Sequence, residues 1–197
     1  MPDQLWGSSS TDRWRSALDS YERVVAAQKV AALPELDRWY RETLPKNIAA
    51  RKTPHVTLEE LTKLTQWKMA RGVWRARNLA LVKGNEPALV VTTSKTALAL
   101  IPHPTAPISE LVELAGVGPA TASAVAAATA PDVYPFFDEL VAGQVPSLGA
   151  VTFTLGYYAK YADALREKAK ELGAKWTPVM VERALWANVG GKAKAEV

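Results

Sequence analysis

The sequence predicts an all-α protein, and three observations carry that expectation. Apolar residues recur at three- and four-residue steps over most of the chain, the repeat of one helix face. Capping residues, glycines and prolines fall where such helices would start and stop. No run alternates apolar and polar residues strongly enough to make a strand, since Leu89 to Thr93 is β-like but lacks a partner. The 197 residues fit one helical domain over 1–188, or two lobes within it, burying roughly 70% of the unfolded chain's surface. A flexible tail is expected over 189–197.

Each element follows from local chemistry. Trp14, Leu18, Tyr21 and Val25 share one face of a helical pattern from Asp12 to Leu33. Leu33-Pro34 opens a short helix bearing Leu36, Trp39 and Tyr40, closed by Pro45. Thr57-Leu58-Glu59-Glu60 is a capping box, beginning a helix through Leu61 and Leu64 to Gly72. A helix from Trp74 to Lys83 stops at Gly84-Asn85. Thr93 or Ser94 caps a helix to Ile101, and Pro102, Pro104 and Pro107 then hold a loop. A short amphipathic helix covers Ile108 to Ala115, and an Ala-rich one runs from Pro119 to about Ala130. Pro131 and Pro135 break it. Further helices are expected over Ser147 to Tyr158, Ala159 to Leu172 and Pro178 to Asn188, the last capped by Thr177.

Composition narrows the chemistry. A hydrophobic content of 48% excludes a disordered chain. The absence of cysteine excludes disulfides, thiolate catalysis and cysteine-ligated zinc or iron–sulfur clusters. Only His55 and His103 are present, both in polar or proline-flanked connectors, so no multi-histidine metal site is expected, although carboxylates could still hold a hard cation, and metal-centred chemistry is not the expectation. No segment is long and apolar enough to span a bilayer, and MPDQLWGSSS lacks the basic and apolar regions of a signal peptide. The expectation is an intracellular protein, nuclear in a eukaryote and cytoplasmic in a prokaryote, with no membrane partner and a monomeric state. The net charge of +4, from 24 basic and 20 acidic residues, permits a nucleic-acid partner without requiring one. Lys63, Lys68, Arg71, Arg75, Arg77 and Lys83 cluster in one short region, either a solvated face or a phosphate-contacting one.

The most informative stretch is LVELAGVGPATASAVAAATAPDVYPFFDEL, residues 111–140. A helix ends near Leu114, the chain turns through Gly116-Val117-Gly118, and a new helix begins at Pro119. The glycines allow positive φ and a close backbone approach. The turn exposes amides beside the positive end of a helix dipole, which suits a phosphate, directly or through a bridging cation. The plainer reading is a tight corner between two helices.

LAGVGPATASAV resembles the helix-hairpin-helix motif, with Leu114, Gly116, Val117, Gly118, Thr121 and Ala122 at its characteristic places. In that motif hairpin amides hold a DNA backbone phosphate. Asp138 stands 22 residues after Gly116, in the register of the catalytic aspartate of helix-hairpin-helix DNA glycosylases, the endonuclease-III-like superfamily. Pro135 lies in the intervening loop, as in that family. Gly72-Val73-Trp74-Arg75-Ala76-Arg77 looks like the family's glycine–aliphatic–aromatic segment. The resemblance covers roughly 57–141 and is specific over about 30 residues.

The resemblance implies two helical lobes flanking a cleft, duplex DNA as partner, and removal of a damaged or modified base. Hairpin contacts would come from Gly116, Val117, Gly118, Ala120 and Thr121, with Lys68, Arg71, Arg75 and Arg77 on neighbouring phosphates. Asp138 would stabilise the oxocarbenium-like transition state and activate water, with Glu139 as its alternate. Trp74, Tyr134, Phe136 and Phe137 would stack on the extruded base or fill its place, with Trp39 and Trp67 also available. No cofactor is implied beyond a monovalent cation at the hairpin. Ala120 occupies the place of the lysine nucleophile of bifunctional members, so β-lyase activity through that position is not expected. Val141 matches the aliphatic residue three after the aspartate, whereas Gly143 replaces the arginine five after it. The missing cysteines also exclude the four-cysteine iron–sulfur loop of many members, leaving the seven tryptophans, Trp176 and Trp186 among them, as core for the C-terminal region. Asp138 as a simple helix N-cap remains open, as do a non-catalytic DNA-binding module and a helical interaction scaffold.

Overall fold

The computed structural model describes residues 4–192, which contain helices and no strand. The N-terminal helices are α1 (Thr11–Asp19), α2 (Tyr21–Ala27), α3 (Leu33–Arg38) and α4 (Leu44–Ala49). The middle of the chain forms α5 (Leu58–Arg71), α6 (Ala76–Lys83), α7 (Pro87–Ala99), α8 (Ala106–Leu111) and α9 (Pro119–Thr129). The C-terminal part supplies α10 (Glu139–Ala142), α11 (Leu155–Leu172) and α12 (Pro178–Asn188). No helix among the described residues is long and apolar enough to cross a membrane.

Several boundaries follow the local signals. Thr57 and Glu60 form the reciprocal capping box at the start of α5, and Gly72 ends it. Thr177 accepts from the Met180 amide and Pro178 begins α12.

Others differ for identifiable reasons. The first helical pattern is broken at Ser20, whose hydroxyl donates to the Ala17 carbonyl, giving two helices. Pro45 does not end the second helix. A π-helical segment, Trp39–Thr43, precedes it, and the Leu44 amide bonds back to Trp39. Such a bulge lets the chain carry the missing donor and the ring of a proline into α4. α7 starts at Pro87 after an extended Glu86, so Thr93 and Ser94 are interior residues and Leu89 to Thr93 is helical. The Trp74 helix begins only at Ala76, and α8 is confined to Ala106–Leu111. Residues 146–154 hold one short 3-10 turn, Pro146–Leu148, and a loop, after which α11 runs unbroken where two helices are expected.

Two groups of helices share one core. α12 packs against α1, α2, α10 and α11, whereas α9 packs against α4, α5 and α8. α5 touches α3, α6, α7 and α9, and a continuous apolar cluster runs from Leu5 to Ala187. The alanines of α9 are buried on every face, and their small size lets its neighbours approach closely. Tyr40 stacks on Trp67 at 3.6 Å and donates to the Ala124 carbonyl at 2.8 Å, tying α9 to α5 and to the Trp39–Thr43 segment. The beginning of the expected tail is docked: Gly191 is buried, its amide bonds to Trp186, and Lys192 donates to the Gly72 carbonyl. Residues 193–197 lie outside the described residues.

Candidate nucleic-acid site and carboxylate cavity

The site begins with the extended segment after α9. Three hydrogen bonds fix it: the Phe137 amide donates to Ser123 Oγ at 2.9 Å, Tyr161 donates to the Phe136 carbonyl at 2.7 Å, and Tyr158 to that of Pro135 at 3.3 Å. The segment delivers Asp138 in an extended conformation to the start of α10. There Asp138 is the N-cap. Its Oδ1 accepts from the Leu140 and Val141 amides at 2.8 and 3.4 Å.

Its other oxygen, Oδ2, lies 3.3 Å from Arg71 Nε. That contact lacks hydrogen-bond alignment, since Nε has no acceptor, so it is an ion pair held by proximity. Arg71 is 2% exposed at the end of α5. Its guanidinium stacks over Trp186 at 4.5 Å, pairs with Glu182 of α12, and donates to the Tyr21 hydroxyl at 3.3 Å. Tyr21 in turn donates to Asp37, which also accepts from Trp67 and Arg41. Burial pushes Glu182 up to about 7 against the opposing pull of Arg71. Burial would lower Arg71, but Glu182, Tyr21 and Asp138 together carry it above its ordinary range.

Asp138 and Glu139 line the same cavity, of about 290 Å³, together with Lys68, Arg71, Arg75, Ala120, Phe136 and Phe137. Phe153 closes part of it and also faces a second cavity of about 260 Å³. Lys68, Arg75 and Ala120 are common to both, and the second extends to Asn78, Gly118 and Thr121. The ring of Phe153 lies 5.2 Å from that of Phe137 and is 46% exposed. A carboxylate-bearing hollow thus adjoins a basic groove leading to the Gly116–Gly118 turn.

Of the two glycines of the turn, one takes the positive φ that the sequence suggests. Gly116 has φ +75°, and an added Cβ would lie 2.6 Å from the Asn78 carbonyl oxygen. Gly118 is extended and its surroundings are open. Asn85 bridges from the end of α6, donating to the Ala115 carbonyl and accepting its amide. The amides of Gly118, Ala120 and Thr121 have no acceptor among the described residues, as befits the first turn of a helix.

Several expected site residues lie elsewhere. Arg71 is no surface phosphate ligand, because it is enclosed by aromatic rings and carboxylates. Val117 is buried and its amide bonds to the Leu114 carbonyl, so it offers nothing to a ligand. The side chains of Ala120 and Thr121 are buried, leaving only their amides for an anion. Tyr134 lies outside the cavity, buried with its hydroxyl on the His103 carbonyl and Arg166 over its ring. Trp74 is 58% exposed and lines neither cavity. Arg77 is exposed on the first turn of α6.

Residues that sequence reasoning missed include Phe153, Leu140 and Lys192, all at the cavity. Phe153 had a faint signal as a lone aromatic between two threonines. Glu182 had none, since its role exists only through contact with α5. Among the described residues no three His, Asp or Glu side chains come together to hold a metal ion. No protein-family model, curated protein or solved structure matches the chain, so the chemistry of the site rests on its own residues.

Proposed function

We propose that the protein binds duplex DNA and removes a damaged or modified base, in the manner of a monofunctional helix-hairpin-helix DNA glycosylase. The observation that carries this reading is the sharing of one cavity by Asp138 and Glu139, continuous through Lys68, Arg75 and Ala120 with the groove to Gly118. The free amides of Gly118, Ala120 and Thr121 suit a backbone phosphate, and Lys68 and Arg75 add positive charge beside it.

Within this reading the extruded nucleotide enters between Phe136, Phe137 and Phe153. Cleavage of the N-glycosidic bond places positive charge on the deoxyribose, and a carboxylate on the cavity wall stabilises it. The cap amides and Arg71 fix the orientation of Asp138. Asp138 also activates the attacking water, with Glu139, the more exposed of the two, as its alternate.

The test is a panel of duplexes, each bearing one altered base, followed by alkaline cleavage at abasic sites. At least one substrate should be cut, and Asp138→Asn, which keeps a capping oxygen, should lose roughly 100-fold or more in rate while still binding DNA. DNA binding with no base release from any duplex would overturn the enzymatic assignment. One observation favours a second reading, that of a non-catalytic DNA-binding module: both Asp138 oxygens are already engaged, one by the cap and one by Arg71. The module would bind DNA in a salt-sensitive way, and Asp138→Asn would change nothing but stability.

A further inference from the structure

Asp138 has one oxygen to offer a substrate, because Oδ1 is taken by the amides of Leu140 and Val141. Whether Oδ2 is available depends on Arg71. Arg71 Nε lies 3.3 Å from Oδ2 and yet is a buried donor with no acceptor. Nη2, the other donor on the same edge of the guanidinium, goes to Glu182 of α12, and Nη1 goes to the Tyr21 hydroxyl. An edge that one carboxylate could take with two parallel hydrogen bonds is thus divided between two carboxylates. An unpaired buried donor is unfavourable, so the pull of Glu182 on Nη2 accounts for the missing bond to Asp138. The proposed base removal gives Glu182 no part, although it is 1% exposed and pairs with the same cation as Asp138.

We propose that Glu182 is a positioning residue for Asp138: its carboxylate holds the Arg71 guanidinium toward α12, and on protonation it lets Nε close on Asp138 Oδ2, withdrawing that oxygen from the substrate. This rests on the reading of Asp138 as the carboxylate of base removal and adds the control of that site by a proton bound in the core.

The groups facing Glu182 are Arg71 of α5, Asp138 at the head of α10, Tyr21 of α2, Tyr161 of α11 and Arg183 of its own helix, with Tyr40 of the Trp39–Thr43 segment behind them. α1 also packs on α12, and none of the charges that act on Glu182 comes from it. Burial keeps the three tyrosines protonated by pushing each above its ordinary value. Arg71 stays charged: burial opposes its charge, but Glu182, Tyr21 and Asp138 outweigh that cost. Glu182 is the group that changes charge near neutral pH, because burial raises it to about 7 against the pull of Arg71. Once it is neutral, Asp138 is the carboxylate left in contact with Arg71 among the described residues. A carboxylate closed into that ion pair stabilises a developing positive charge on a sugar less well, because the guanidinium beside it opposes the same charge. Base release therefore rises with pH as Glu182 ionises.

The test is an NMR titration of the full chain between about pH 5.5 and 8.5, with isotope-labelled arginine and side-chain carboxyls. Base-release rates are measured over the same range on a duplex that the protein cuts. The Arg71 Nε–Hε resonance, which burial protects from exchange, should move downfield as pH falls. Its midpoint should match that of the Glu182 carboxyl, and the Asp138 carboxyl should report the same midpoint. Base release should rise roughly 10-fold or more from the low to the high end of the range. Glu182→Gln fixes the neutral state at almost unchanged side-chain shape. It should hold the Arg71 proton at its low-pH position and keep the rate at the parent's low-pH level throughout. An Arg71 resonance that ignores the Glu182 titration overturns the proposal, as does a Glu182→Gln rate profile as steep as the parent's. The parent's own titration decides this even where the variant fails to fold. No base release from any duplex overturns the base-removal reading and this proposal with it. A cut duplex with an unmoved Arg71 resonance overturns this one alone.

Discussion

Arg71 is the residue on which the C-terminal helices and the candidate site meet. It joins α5 to Glu182 on α12 and to Asp138 at the start of α10, with four aromatic rings around its guanidinium. Removing one partner of a buried ion pair leaves the other charge uncompensated, so Arg71→Ala should cost about 3–5 kcal/mol. Urea unfolding of the variant and the parent measures it. Glu182 adds a pH dependence whose sign is fixed. Its carboxyl is raised to about 7 in the fold, from an ordinary value of 4.5, so between those values the native state binds a proton that the unfolded chain has lost. The contribution of this group to stability therefore falls as pH rises through that window and is lowest above it. Glu182→Gln removes the titration, and its urea midpoint should decline less than that of the parent between about pH 5 and 8. Equal declines would show that Glu182 does not titrate there.

At the scale of the element, the two glycines of the turn between α8 and α9 have different duties. Gly116→Ala forces a side chain into a positive-φ position against the α6 backbone, with the Asn78 carbonyl oxygen 2.6 Å and the Val82 amide 2.9 Å from the new carbon. Neither backbone atom can rotate away, so the variant should lose more than about 2 kcal/mol. Gly118→Ala meets nothing within 4 Å and should melt within about 0.5 kcal/mol of the parent. If Gly118 approaches a phosphate, Gly118→Asp should weaken duplex binding by roughly 10-fold or more without lowering the melting temperature much. Equal affinity would mean that the turn is only a corner.

This turn was legible in the sequence, as were the capping box of α5 and the start of α12, because each depends on residues within one turn of one another. Pro45, Thr93, Ser94 and the 147–154 segment misled because prolines, capping residues and apolar spacing constrain a helix only locally, while packing decides whether it continues. Within the site, the Phe136, Phe137, Asp138 and Glu139 run could be singled out only through the family resemblance that Gly116 and Asp138 carry. Phe153 and Glu182 could not, because tertiary contact alone brings them to α5 and α10. Arg71 misled in the opposite sense: a cation among cations reads as surface until a helix from the far end of the chain brings it a carboxylate.

At the scale of the molecule, burying Arg71 changes the charge available to the proposed DNA partner. The sequence places six cations in the region from Lys63 to Lys83, but Arg71 is neutralised internally and Lys63 sits over the Trp39 ring. Lys68 and Arg75 line the groove, Lys192 lies at the larger cavity, and Arg77 is exposed nearby on α6. Four phosphate contacts would give log Kobs against log salt a slope of about −3.6, whereas all six sequence-neighbouring cations would give about −5.4. The shallower slope is the expected one. Arg75→Ala and Arg77→Ala should each flatten it by about 0.9, whereas Arg23→Ala on α2, which lines neither cavity, should leave it alone. Fluorescence anisotropy on a labelled duplex over a salt series measures all four proteins. A slope that is unchanged by Arg75→Ala and reduced by Arg23→Ala would put the DNA on the face of the first helices and leave the carboxylate cavity with a different ligand. With the predicted pattern, the phosphates lie along the groove from Gly118 to Lys192, and the carboxylates stand where a nucleotide leaving that duplex would arrive.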